Sequence, residues 1–166
     1  MIFLPGPLTS TAITTLLSDH LRDMHRISPP ESVHALDLAA LRGADISFWS
    51  VWTDDSPDAE LMGCGALREL GASHGEIKSM RTAPLHRSKG VARAMLAHLL
   101  AEARARGYAR VSLETGAQPE FEPARRLYAS HGFLPCGPFG PYREDPHSVF
   151  MTLDLPNTAE PPALPA

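Results

Sequence analysis

The chain has 166 residues and a mass of 18.0 kDa, with 43% hydrophobic and 20% charged residues, which is the size and balance of one globular domain. Its net charge of -4 and pI near 6.0 argue against a nucleic-acid surface built on net positive charge, so we expect no nucleic-acid partner. Two cysteines, Cys64 and Cys136, are too few for a disulfide framework and form no closely spaced metal-binding pair. With no signal-peptide pattern and no long apolar segment, the sequence predicts a cytoplasmic protein that contacts no membrane and binds no metal.

The first half of the chain predicts a short strand, two helices and a hairpin. After the opening strand, a helix over 9–26 has a Ser or Thr cap and apolar residues at helical spacing, namely Ile13, Leu16, Leu17 and Leu21. A second helix is predicted over 32–41, with Gly43 as its C-cap. The period then changes to two, so 46–53 and 61–70 are predicted to form a hairpin around the turn-rich DDSPDA.

The second half predicts strands and helices in alternation. A strand over 75–83 is stopped by Pro84, and the helix that follows over 88–106 has an apolar stripe of Val91, Met95 and Leu99. A strand over 109–115, a short helix over 122–131 and a closing strand over 148–155 complete the predicted order. We expect residues 1–155 to form a single domain and the proline-rich tail 156–166 to be disordered.

A basic turn, RSKG, lies at the start of the helix predicted over 88–106. The strand, turn, helix and strand across 76–115 form a crossover unit, so the two strands are expected to be parallel. The first N–H groups of a helix lack partners and its dipole is positive there, so this end attracts phosphate. Gly90 would let a ligand approach the backbone while Arg87 and Lys89 add charge, which predicts a pyrophosphate site. The spacing does not fit the phosphate loop of nucleotide triphosphatases.

Two segments together resemble one family. RSKGVA (Arg87 to Ala92) matches the Arg/Gln-x-x-Gly-x-Gly/Ala turn of the GNAT acetyltransferases, and ARRLYASHGF (Ala124 to Phe133) resembles their A-x-x-L-Y-x-x-x-G-F segment. The resemblance covers roughly residues 46–155. It implies an α/β (α+β) GNAT fold, with a central mixed, mostly antiparallel twisted sheet of about six to seven strands. A splayed parallel pair lies in that sheet, and about four helices flank it.

The resemblance implies acetyl-CoA as the cosubstrate and no metal. In such enzymes the pantetheine arm inserts between the splayed strands, where the backbone of the segment from Met80 through Arg81 to Thr82 would bind it. The Met80 N–H would also polarise the thioester carbonyl. The turn residues that would hold the pyrophosphate are Arg87, Ser88, Lys89, Gly90, Val91 and Ala92. Phe121 stands where the family often has Asn, which removes one side-chain contact to the cofactor.

Transfer of an acetyl group to an amine requires two proton transfers. An amine with a pKa near 10 is disfavoured in its neutral form by roughly 4 kcal/mol at pH 7, so a base is needed. Glu76, four residues before Met80 and expected on the same strand face, falls where related enzymes place a base that acts through water. Glu114, near the end of the facing strand, is its competitor. The leaving CoA thiolate needs a proton, which Tyr128 would donate.

The acceptor site is expected to be walled by 28–38 and 137–148. Arg143 could pair with an acceptor carboxylate, and His34 or Asp37 could hold an amine, with Glu114 nearby. These residues predict a small primary amine that carries an acid group. Cys64 is expected to be a small buried residue, and His20 and His25 are expected at the surface, so the sequence predicts no role for any of the three.

Three functions remain open from the sequence. The first is acetylation of a small-molecule amine by acetyl-CoA, with Glu76 as base and Tyr128 as acid. The second is the same chemistry on a protein lysine or N-terminus. The third is a non-catalytic acyl-CoA-binding module. The resemblance leaves the assembly open, with a homodimer as the common case.

Overall fold

The computed structural model describes residues 1–6 and 8–156, so the proline-rich tail, apart from Pro156, lies outside the described residues. Seven strands form one sheet: β1 (Ile2–Pro5), β2 (Ile46–Trp52), β3 (Leu61–Gly71), β4 (His74–Thr82), β5 (Arg110–Gly116), β6 (Leu134–Cys136) and β7 (Ser148–Asp154). The α-helices are α1 (Thr11–Ile27), α2 (Val91–Ala105) and α3 (Glu122–Ser130). The limits of the domain stay a prediction.

The sheet has the order β1-β2-β3-β4-β5-β7-β6. Every neighbouring pair is antiparallel except β4 and β5, which are parallel because the crossover through α2 returns the chain in the same direction. This arrangement confirms the predicted fold class, including the mixed sheet and its one parallel pair.

The helix count was predicted too high. Three α-helices flank the sheet within the described residues, and the helix predicted over 32–41 is replaced by two short 3-10 turns, Pro30–Ser32 and Ala40–Arg42. The carboxylate of Asp37 accepts a hydrogen bond of 2.8 Å from the Ala40 N–H, so it closes a single turn locally instead of leaving that donor to a longer helix. A segment of ten residues is also too short to form a stable helix without extensive packing.

Different helices pack on the two faces of the sheet. Helices α2 and α3 cover one face, where the apolar stripe of α2 packs against strands through residues such as Met95, Leu96, Leu99, Ile77 and Leu113. Helix α1 covers the other face, where its buried residues Ile13, Leu16 and Leu17 contact a smaller cluster that includes Phe48, Cys64 and Ala66. Each face is therefore closed by a helix whose apolar residues recur at helical spacing.

A β-bulge in β4 changes the side of the sheet toward which the side chains after the bulge point. Ala66 and Cys64 on β3 oppose Lys78 and Arg81 on β4, so the strand has one extra residue between them. Ser79 in this segment has a positive φ of 52°. As a result Arg81 points to α1, where its guanidinium bonds Asp23, whereas Met80 packs with the core beneath α2. The expectation that Glu76 and Met80 share one strand face is therefore wrong.

Candidate active site

The parallel strands β4 and β5 separate along their length. Paired residues run only from His74 with Arg110 to Ile77 with Leu113, although β4 continues to Thr82 and β5 to Gly116. On its other edge β4 stays paired to β3 as far as Thr82. The backbone groups of Met80 to Thr82 that face β5 consequently have no strand partner, which leaves a gap suited to an extended guest.

A groove of about 260 Å³ lies along this gap. Six of the nine residues that we expected to hold a cofactor line it: Met80, Arg81, Thr82, Arg87, Val91 and Ala92. The other three, Ser88, Lys89 and Gly90, form the exposed turn at its end. The structure thus brings all nine together along one path from strand β4 to the start of α2.

The turn before α2 has an unusual backbone. Ser88 and Gly90 have positive φ values of 60° and 80°, and α2 begins at Val91, three residues later than predicted. A side chain added at Gly90 would meet nothing within 4 Å, so this position is open on the side of an approaching ligand. The free N–H groups of the first helical turn and the Arg87 side chain converge here, which suits an anion such as a pyrophosphate.

His86 supports this turn from below. Its ring is buried, and its Nε2 lies 3.0 Å from Oε2 of Glu60, in the loop that joins β2 to β3. This contact ties the 3-10 turn Pro84–His86 to the sheet. The residues present therefore fit a CoA group: open strand backbone for an extended arm and a fixed, positively polarised turn for its diphosphate.

A second cavity of about 130 Å³, called here the acceptor cavity, lies on the α1 side of the gap. It is walled by α1, the segment 28–35 and the separated ends of β4 and β5. Met80, Ala124 and Tyr128 line both this cavity and the groove. The two spaces therefore meet at the Met80 side chain and the Tyr128 ring.

Tyr128 is buried at this meeting point. Its hydroxyl lies 3.8 Å from Sδ of Met80, and its ring packs at an angle against Phe133 with centroids 5.8 Å apart. Burial raises the pKa of Tyr128 to about 12, and the charge of Glu114 adds to the rise. The hydroxyl consequently keeps its proton throughout the neutral pH range.

The two candidate bases occupy different places. Glu114 lines the acceptor cavity, and burial raises the pKa of its carboxyl above the usual value, although the neighbouring Ser148 hydroxyl opposes the rise. Glu76 is 0% exposed and does not line the cavity. Its carboxylate accepts a hydrogen bond from the Tyr142 hydroxyl and lies 3.3 Å from Nζ of Lys78.

Lys78 is a site residue that the sequence analysis missed. Its side chain is only 7% exposed, and the residue lines the acceptor cavity. It donates hydrogen bonds of 2.9 Å to the His34 carbonyl and 2.7 Å to the Tyr142 hydroxyl, so it joins the segment 28–35 of the cavity wall to the loop that carries Tyr142. The available signal was the spacing of two between Glu76 and Lys78, which puts opposite charges on one face of a strand.

The expected acceptor residues are only partly brought together. His34 and Glu114 line the acceptor cavity, whereas Asp37 and Arg143 are both exposed and are not among the described residues that line it. His20, expected at the surface, is half-buried and lines the cavity, so that expectation was wrong. Its position seven residues after Ile13 and three after Leu17 puts it on the buried stripe of α1.

None of the helices in the described part of the chain is long and apolar enough to cross a membrane. Across residues 1–6 and 8–156, no group of three or more His, Cys, Asp or Glu side chains is arranged to hold a metal ion. The site consists of backbone dipoles, the Glu114 carboxylate, the Tyr128 phenol and the buried ion pair of Lys78 and Glu76.

The site combines an open pair of parallel strands, which leads to a basic helix start, with a cavity that contains a carboxylate and a tyrosine. This combination is typical of an acyltransferase that uses an acyl-CoA. The sequence matches the model of the acetyltransferase (GNAT) family over residues 13–133. The chain therefore belongs to the GNAT acetyltransferase family. The predictions of an acetyltransferase and of acetyl-CoA as cosubstrate are confirmed at the level of the family.

Individual relatives agree with this placement. The chain is 56% identical over 148 residues to the uncharacterized N-acetyltransferase YsnE of Bacillus subtilis, covering 89% of this chain and 95% of that one. It is 48% identical over 148 residues to the uncharacterized N-acetyltransferase YedL of Escherichia coli, with 89% and 91% covered. A Klebsiella pneumoniae structure described as an acyl-CoA N-acyltransferase superposes with a TM-score of 0.71 at 27% identity, with 93% and 97% covered.

Gly90 provides a direct test of the turn. We expect Gly90→Ala to weaken CoA binding by about tenfold or more, because the positive φ is unfavourable for Ala and the methyl group would occupy the open approach to the helix start. Isothermal titration calorimetry with CoA measures this change.

Gly107 is the matched control for that substitution. It also has a positive φ, 74°, with nothing within 4 Å of an added Cβ, but it lies at the other end of α2. Gly107→Ala is expected to lose similar stability, about 1 to 2 kcal/mol, while CoA binding is unchanged. Equal CoA affinity in both variants would show that the turn is not part of the CoA-binding site.

Proposed function

We propose that the protein transfers an acetyl group from acetyl-CoA to a primary amine of a small molecule held in the acceptor cavity, by direct attack of the amine on the thioester. One observation carries this proposal: Met80 and Tyr128 line both the groove and the acceptor cavity. A thioester laid along the groove and an amine in the cavity would meet at these two residues.

The backbone of β4 would hold and polarise the acyl donor. Acetyl-CoA supplies the activated acetyl group when it is bound. The open N–H and C=O groups from Met80 to Thr82 would bind the extended arm, and the N–H of Met80 would donate to the carbonyl oxygen on which charge develops. The turn from Arg87 to Ala92 would hold the diphosphate through helix N–H groups and the Arg87 guanidinium.

Glu114 is the better candidate for the base. It lines the acceptor cavity and its raised pKa makes it a stronger proton acceptor than an ordinary carboxylate. Glu76, the base expected from the sequence, is fully buried and engaged by Lys78 and Tyr142. We therefore propose that Glu114 accepts the amine proton, directly or through one water, and that Glu76 holds Lys78 and Tyr142 in place.

Tyr128 would stabilise the leaving sulfur. A phenol with a pKa of about 12 is a poor donor to a thiolate whose conjugate acid has a pKa near 8.5. The negative charge of Glu114 is one cause of that high value, and this charge disappears once Glu114 takes up the amine proton. Proton capture by Glu114 would thus make Tyr128 a better acid at the moment when the thiolate leaves.

The walls of the acceptor cavity favour a small acceptor. The segment 28–35 and the ring of Phe121 line it, and the Lys78 ammonium fastens His34 to the loop that carries Tyr142. A cavity of about 130 Å³ matches a small amine better than an extended polypeptide.

An acceptor screen that follows free CoA release tests the function. We expect stimulation by small primary amines in the presence of acetyl-CoA. Stimulation only by lysine-containing or free N-terminal peptides would instead assign protein acetylation. Slow hydrolysis that no acceptor stimulates would identify an acyl-CoA-binding module without transferase activity.

Tyr128→Phe isolates the role of the phenol. We expect kcat to fall by about a hundredfold while the KM for acetyl-CoA changes little, because the ring keeps its packing and only the hydroxyl is lost. Steady-state kinetics give both values. Tyr108→Phe removes the hydroxyl of another buried tyrosine in the same core and should leave kcat unchanged. If the two variants behave alike, Tyr128 is only a core residue.

A further inference from the structure

Three buried polar atoms at the acceptor cavity lack partners within the described part of the chain, namely Nδ1 of His20, Oγ of Ser32 and Oγ of Ser79. All three residues line the cavity: His20 from α1, Ser32 from the segment 28–35 and Ser79 from the bulge in β4. Buried polar groups are normally satisfied because leaving one unpaired is costly, so these atoms indicate a polar group of a ligand.

Lys78 adds a charged donor to the same wall. Its ammonium has three N–H groups, and hydrogen bonds to the His34 carbonyl and the Tyr142 hydroxyl use two of them. The third makes an ion-pair contact with Glu76 at 3.3 Å, and the hydrogen bond that this carboxylate accepts comes from the Tyr142 hydroxyl. The ammonium therefore keeps a donor that a guest in the cavity could use.

The charges around His20 agree with an anionic guest. Burial, together with the positive charges of Arg81 and Lys78, lowers the pKa of His20 to about 4 against an opposing effect of Asp23. The imidazole is therefore neutral at pH 7, and the two nearby cations produce a positive potential around it. A neutral imidazole can still donate one N–H to an anion.

We propose that the acceptor carries an acid group as well as its amine, and that Lys78, His20 and Ser79 bind this group. The inference rests on the proposed function and deepens it, since it assigns separate residues of one cavity to the two groups of the acceptor: Lys78, His20 and Ser79 to the acid group and Glu114 to the amine. A carboxylate fits because it accepts several hydrogen bonds at once. Lys78 thereby takes the role that the sequence suggested for the exposed Arg143.

Matched acceptor pairs test the proposal on the wild-type protein. Tryptophan with tryptamine, phenylalanine with 2-phenylethylamine, and histidine with histamine differ by one carboxylate each. We expect kcat/KM to be higher for the acid-bearing member of the accepted pairs by about tenfold or more, which is what one charge-assisted hydrogen bond supplies. Equal or better turnover of the amines lacking the acid group would overturn the inference and leave the acetyltransferase function standing.

Variants of α1 give a second readout. His20→Ala should reduce the preference for the acid-bearing acceptors by about tenfold, through KM rather than kcat, and should leave the calorimetric affinity for CoA unchanged. His25→Ala is the matched control, because His25 is exposed on the same helix and should change neither value. An unchanged preference in His20→Ala, with CoA binding intact, contradicts the assignment of His20.

Discussion

Glu114→Gln is expected to lower kcat by about a hundredfold to ten-thousandfold, because the amide cannot accept the proton of the attacking amine. The side chain keeps nearly the same shape, so the affinity for CoA and the stability should change little. Steady-state kinetics with an accepted amine measure the loss, and calorimetry with CoA checks that the groove is intact.

The pH dependence gives this variant a second signature. The carboxylate is active only when ionised, so kcat/KM should fall as the pH drops through the pKa of Glu114, which burial raises above the usual range of a glutamate. This acidic limb should be absent from the residual activity of Glu114→Gln.

Glu76→Gln is the decisive comparison. The amide can still accept from Tyr142, so we expect a decrease in kcat of no more than about tenfold. If Glu76→Gln loses most of the activity and Glu114→Gln does not, the base is Glu76, as the sequence suggested, and the buried ion pair must open during turnover.

Lys78→Met is expected to lower the free energy of unfolding by about 3 to 5 kcal/mol. Removing one partner leaves the carboxylate of Glu76, which is 0% exposed, without its counter-charge, and this is the costly way to break a buried pair. The change also removes the hydrogen bond that fastens the His34 carbonyl to β4. Urea denaturation followed by circular dichroism measures the loss.

Two further variants test whether the loss of stability in Lys78→Met comes from the buried charge. The double variant Lys78→Met with Glu76→Gln should recover part of the stability, because no uncompensated charge remains buried. Arg126→Met breaks a pair with Glu122 that is exposed on α3, and its effect should stay within about 0.5 kcal/mol. A loss from Lys78→Met no greater than that from Arg126→Met would show that the pair is not buried in solution.

Much of the fold could be predicted from the sequence because it follows from local patterns. The period of two in 46–53 and the apolar stripe of α2 identified a strand and a helix, and Gly107 marked the end of that helix correctly. The motif around Gly90 located the turn, since glycine there has the positive φ that other residues avoid.

The acceptor side of the site could not be predicted in the same way because long-range contacts determine it. A strand lysine normally lies in water, so nothing local to Lys78 indicates that Tyr142, 64 residues further along the chain, covers it. The segment 32–41 carries helix-forming residues, yet a side-chain cap by Asp37 holds it in a single turn.

The extra residue in β4 sets which side chains the strand turns toward each helix layer. If β4 paired regularly with β3 while keeping Ser79, every side chain after Lys78 would change faces, so that the guanidinium of Arg81 would turn into the apolar layer and the thioether of Met80 toward α1. The bulge is therefore needed to keep these two side chains on their present faces, whereas the exposed connection DDSPDA between β2 and β3 can gain or lose residues without disturbing either layer.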